Sequence, residues 1–71
     1  MLSYTRHAKE RMRQRAVTEE EVQYCLEKFE VSYPDRAGNS IYKVTLQNGR
    51  RIKVVVKANS FDPVIIITVG D

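Results

Sequence analysis

His7, Arg11 and Arg15 stand at four-residue steps in a stretch without glycine or proline, so on a helix they share one stripe beside Ala8 and Met12. An imidazole near a helix start is a candidate general base. The plain alternative is a histidine that caps the helix, packs on Tyr4 or is simply solvated. A second set lies further on, where Lys43, Arg51 and Lys53 belong to a basic C-terminal segment that offers a footprint for an anionic partner. Other chemistry finds no residues to carry it: there is no glycine-rich phosphate loop and no Ser/His/Asp set. One histidine and one cysteine do not furnish a zinc centre, so neither metal nor other cofactor is expected.

These residues must be positioned by a very small protein. The chain has 71 residues, with 12 Lys and Arg against 9 Asp and Glu, and 42% of it is hydrophobic. That composition is too apolar for disorder, and residues 1–71 are expected to form a single domain. A domain of this size buries only about 60% of the surface of its unfolded chain, so any active site must lie on the surface. Cys25 has no cysteine to pair with, and Met1 to Thr5 run straight into charge without an apolar leader core, which reads as cytoplasmic. The longest apolar run, Val64 to Ile67, falls far short of the roughly 18 residues that would suggest a membrane span.

Charge is sorted by segment. Residues 1–16 carry five cations (Arg6, Lys9, Arg11, Arg13, Arg15) against Glu10, and residues 17–30 carry five acids against Lys28. The plain reading pairs a basic first helix with an acidic second one, leaving only the C-terminal basic segment uncompensated.

The elements follow from periodicity. Helix formers and the Tyr4, Ala8, Met12 spacing predict a first helix over about 5–15. Thr18-Glu19-Glu20-Glu21 matches a capping box, and Val22, Cys25, Leu26 and Phe29 form an apolar stripe, predicting a second helix over about 18–29. Cys25 within that stripe reads as a small core residue rather than a nucleophile. From Val31 the period becomes two, and strands are expected at about 31–36, 40–47, 50–57 and 63–69, the first confined to a sheet edge by Pro34.

Register in the central hairpin can be argued. A two-residue Asn48-Gly49 loop would set Val44 against Lys53, mixing core and solvent positions. A three-residue loop, Gln47-Asn48-Gly49 with Gly49 left-handed, instead pairs Val44 with Ile52 and Tyr42 with Val54. The other face then carries Lys43 opposite Lys53, Thr45 opposite Arg51 and Ile41 opposite Val55. The expected fold is α+β, two N-terminal helices packed on one face of a four-stranded antiparallel sheet.

In that meander the last strand lies at an edge, yet Val64-Ile65-Ile66-Ile67 is apolar toward both faces and carries no charge to block pairing. A homodimer through this strand or a partner's strand would cover it. Within one chain, the alternative is a strand order that places it centrally, with the first helix over part of its second face.

The run from His7 to Val22, together with Tyr42, the stretch Gly49 to Val56 and the Ile67-Thr68-Val69 ending, resembles the family catalogued as domain of unknown function 4258. The resemblance spans Thr5 to Val69. It implies the fold of the RelE and barnase-like group of small, metal-independent ribonucleases, many of them toxins. By resemblance, His7 and Arg11 or Arg15 are the family's functional positions on the first helix, and Thr68 is its last-strand hydroxyl. An aromatic usually follows that threonine soon after, where this chain has Val69-Gly70-Asp71. The implied activity is transesterification of RNA, with His7 as base or acid and Arg11, Arg15, Lys43, Arg51 and Lys53 holding phosphate. The implied partners are RNA and an antitoxin protein. Two other readings stay open: a non-catalytic module binding nucleic acid or protein through the same face, and a small structural or regulatory partner without RNA contact. Helices on one face and lysines on the other also leave His7 and the Lys43/Lys53 patch as two candidate sites.

Overall fold

The computed structural model describes residues 2–71. Its elements run β1 (Leu2–Tyr4), α1 (Arg6–Arg15), α2 (Glu19–Lys28), β2 (Val31–Pro34), β3 (Ser40–Thr45), β4 (Arg51–Val56) and β5 (Val64–Gly70). The class is α+β, with two helices and a five-stranded mixed sheet in the order β1-β5-β4-β3-β2. This corrects the four-stranded antiparallel expectation. The added strand, β1, lies parallel to β5 and pairs Leu2 with Val64, Ser3 with Ile65 and Tyr4 with Ile66.

The last strand is therefore internal in the sheet order. Its N-terminal half has β1 on one side, and β4 pairs along the other, so the open edge on which strand-to-strand dimerisation was expected is taken up over Val64 to Ile66. A register shift between Val55 and Val56 leaves Ile67 as an extra residue, so Thr68 lies opposite Val55 while Ile66 lies opposite Val56. Strand β2 does lie at the opposite edge, exposed throughout, with Pro34 pairing no further than Ser40.

Each helix is started by a threonine. Thr18 closes a capping box with Glu21, its hydroxyl accepting from Glu21 N at 3.1 Å while Glu21 Oε1 accepts from Thr18 N at 2.9 Å. Thr5 does more, because its hydroxyl accepts from Ala8 N at 3.0 Å and donates to Ile67 O at 2.9 Å, while its own N–H donates to Ile66 O at 3.1 Å. The start of α1 is thereby fastened to β5. The helix ends at Ala16 in the left-handed region (φ 53°), with Val17 N–H bonding back to Met12 O at 2.9 Å.

Both helices cover the same sheet face. Ala8, Met12, Val22 and Cys25 pack with Val44, Ile52, Val54, Ile66 and Val69 into one core. Cys25 is fully buried, its thiol 3.6 Å from Tyr42 O and pushed up to about 11 by burial, which agrees with a core role. The hairpin has the register that the apolar pattern demands, with Val44 opposite Ile52, Lys43 opposite Lys53 and Thr45 opposite Arg51. Leu46 and Arg50 close the loop, and Gly49 takes φ +87°. Among the described residues no helix is long and apolar enough to cross a membrane.

Candidate nucleic-acid interface

Alternation along the strands sends Lys43, Arg51 and Lys53 to the face without helices. There they stand in neighbouring rows across the sheet: Ile41, Val55 and Thr68 in one, Lys43, Lys53 and Gly70 in the next, Thr45 and Arg51 beyond. Gly70 lies beside the Lys53 side chain, and a methyl group at that position would meet Lys53 Cε at 3.8 Å, an ordinary contact. Lys43 Nζ sits 5.4 Å from the centre of the Tyr33 ring, a cation–π distance. Glu30, Val31, Lys43, Arg51, Lys53 and Asp71 border one cleft of about 370 Å³ at this end of the sheet.

The cations in the cleft have no carboxylate partner among the described residues. Among the described residues the ion pairs are Arg13 with Glu10, Arg15 with Asp71 and Arg50 with Asp71, and none reaches Lys43, Arg51 or Lys53. Glu30 makes no ion pair with them, and its Oε1 accepts from Thr45 N at 3.0 Å and from Thr45 Oγ1 at 2.9 Å. Nor does any ion pair join α1 to α2, so the cancellation expected between a basic and an acidic helix is absent among the described residues.

His7 is exposed on the first turn of α1, just after the Thr5 anchor at Ile66 and Ile67. Arg11, one turn on, is half-buried, and its Nε is a buried donor without a partner. Arg15 is at the far end, where its Nη1 lies 3.6 Å from Asp71 Oδ1. Eight residues at 1.5 Å rise separate His7 from Arg15 by about 12 Å along the helix axis. Thr68 lies in the row of Val55 on the open face, whereas Ala8 and Met12 of α1 pack on the other. The structure thus brings Arg15 toward the end of the sheet that holds Lys43, Arg51 and Lys53. Thr68 is one row from Lys43 and Lys53 on that open face, whereas His7 and Arg11 are not gathered with them.

Three residues of this region were not singled out from the sequence. Glu30 and Asp71 are the carboxylates bordering the cleft. Arg50 reaches from the hairpin to the end of α1, its Nη1 donating to Ala16 O at 2.9 Å, its Nη2 to Arg15 O, and its Nη2 also to Asp71 Oδ2 at 3.3 Å. The hairpin register held the signal for Arg50. It continues the parity of Ile52, Val54 and Val56, so a cation there faces the helix side and must find acceptors.

No curated protein and no solved structure matches the chain. Residues 4–71 match the family model described as Domain of unknown function (DUF4258), and the chain belongs to that family.

Proposed function

We propose that this protein binds RNA through the open face of its sheet, with Lys43, Arg51 and Lys53 on the phosphate backbone. One observation carries the reading: three cations stand in neighbouring rows on one face and, among the described residues, no carboxylate lies within 4.0 Å of any of them. Two lysines directly opposite each other repel mildly, and an anion between them reverses the sign of that interaction. The neighbouring Tyr33, about 39% exposed on edge strand β2, supplies an aromatic surface of the kind on which unpaired bases stack.

Fluorescence anisotropy with a single-stranded RNA oligonucleotide, titrated at several salt concentrations, tests the reading. Lys43→Gln with Lys53→Gln should weaken binding and flatten the slope of log K against log salt by about 1.4, two contacts at about 0.7 each. An unchanged slope returns the lysines to the role of solvated side chains.

Metal-independent cleavage of the bound strand is the second reading, favoured by the carboxylate of Glu30 in the cleft. In that reaction the 2′ oxygen attacks phosphorus as the 2′ proton passes to Glu30. The bond to the 5′ oxygen breaks, a cleft ammonium protonates that oxygen, and the products are a 2′,3′-cyclic phosphate and a 5′-hydroxyl. His7, on the first turn of α1 and about 12 Å along the helix axis from Arg15, is the less well placed base. The order of helices and strands is compatible with the RelE-like grouping, and an antitoxin partner would follow from it. Analysis of RNA ends after the same titrations separates the two readings: cyclic phosphate ends indicate cleavage, and intact RNA leaves binding alone.

A further inference from the structure

We propose that Arg15 and Arg50 form a phosphate-binding fork, which the carboxylate of Asp71 occupies when no polyanion is bound. The two guanidinium groups come from distant parts of the chain and meet one carboxylate, Arg15 at Oδ1 (3.6 Å) and Arg50 at Oδ2 (3.3 Å). One cation on each oxygen is also how two arginines share the two non-bridging oxygens of a phosphodiester. Asp71 therefore marks an anion site with an anion already in it.

Arg50 is the fixed arm. Its backbone N–H donates to Asn48 Oδ1 at 2.9 Å, and its guanidinium donates to the last carbonyls of α1, at Arg15 and Ala16. Those carbonyls are the negative end of the helix dipole, which favours a cation there. The geometry of the arm is thus set before any ligand arrives. Asp71, by contrast, is loosely held, because both separations exceed the roughly 2.7–2.9 Å of a charge-assisted hydrogen bond. Its side chain is 34% exposed, and surface ion pairs of this kind are weak.

Asp71 also borders the cleft of Lys43, Arg51 and Lys53. A strand whose phosphates lie on the lysine rows can therefore place its next phosphate at the fork and displace the carboxylate. This connection rests on the proposed RNA reading, whereas the fork as an anion site does not. Displacement would join five cations from α1, the hairpin loop, β3 and β4 into one track.

Two probes separate these claims: inorganic pyrophosphate, followed by calorimetry, and the single-stranded RNA oligonucleotide. Asp71→Asn should bind pyrophosphate about three- to fivefold more tightly, the size expected for removing a weak competing ion pair. The same variant should steepen the salt slope of RNA binding by about 0.7 for one added contact. Adding Arg15→Gln to Asp71→Asn should return pyrophosphate affinity to the original value or below. Unchanged pyrophosphate affinity in a folded Asp71→Asn variant overturns the fork. If that variant fails to fold, side-chain NMR of the unaltered protein decides: pyrophosphate must shift the Arg15 and Arg50 Nε–H signals, and unmoved signals overturn the fork. Tighter pyrophosphate binding in Asp71→Asn, with RNA binding indifferent to the lysine substitutions, keeps the fork and removes the RNA reading. The opposite pattern removes the fork alone.

Discussion

Replacing Thr5 by valine keeps the shape of the side chain and removes one oxygen that serves two elements at once. That oxygen accepts from Ala8 N, capping α1, and donates to Ile67 O, holding the helix start against β5. Loss of a threonine cap costs about 1 kcal/mol. Loss of the bond to Ile67 costs about another 1 kcal/mol, since its carbonyl is left without that donor in a partly enclosed place. The sum, about 2 kcal/mol, corresponds to a fall in Tm of roughly 8–16 °C for a domain of this size. Thr5→Ser retains both bonds and should stay within about 0.5 kcal/mol of the parent. Urea and thermal unfolding followed by circular dichroism measure the two variants, and amide exchange at Ala8 should quicken only in Thr5→Val. If Thr5→Val is as stable as Thr5→Ser, the hydroxyl does not couple helix to strand, and the position of α1 must come from Ala8 and Met12 packing alone.

Ala16 adopts φ 53°, a conformation that costs an L-residue roughly 1–2 kcal/mol. Ala16→Gly should therefore raise stability in urea denaturation by about 0.5–1 kcal/mol, after the extra freedom glycine gives the unfolded chain is subtracted. Burial lifts the Cys25 thiol from an ordinary 9.0 to about 11 in the folded protein, so above pH 9 the unfolded chain releases a proton that the folded one keeps. Stability should be unaffected by this group below pH 9 and fall from there to about pH 11, and Cys25→Ala should remove the part of that fall below pH 10, where Tyr4, also raised from 10.0 by burial and by Glu19, does not yet contribute.

What could be read from the sequence was what depends on local parity. Val44 and Ile52 had to share a face, which fixed the hairpin loop at three residues and put Lys43 against Lys53. The Thr18 capping box and the Val22 and Cys25 stripe placed α2 for the same reason. Strand β1 gave no such signal, since three residues are too few to show a period and its partner lies some sixty residues away. Without β1, the apolar run of β5 called either for a neighbour in another molecule or for a strand order that places it centrally, and the structure has it internal in the sheet order. The extra residue at Ile67 was equally invisible, because a run of four apolar residues looks the same in either register.

The candidate site was legible in its parts and hidden in its assembly. Each cation of the cleft could be read as a surface charge from its own strand. That Arg15 joins them depends on where α1 ends, and this depends on Thr5 reaching Ile67 at the other end of the helix. Helix α1 runs beside β5 from Ile66 to Asp71, about five strand steps against ten helical ones, and the two rises of roughly 3.3 and 1.5 Å make those lengths nearly equal. The match carries the last arginine of the helix to Asp71, the residue just after the strand, and Arg50 meets both because the hairpin turns back at that same level. His7 is kept away from the cleft by the same arithmetic, since the residue next to the anchor is the one farthest from the sheet's charged end. On the proposed cleavage reading, a site that includes Arg15 and the lysine rows would therefore take its proton acceptor from Glu30 in the cleft rather than from His7 on the first helix.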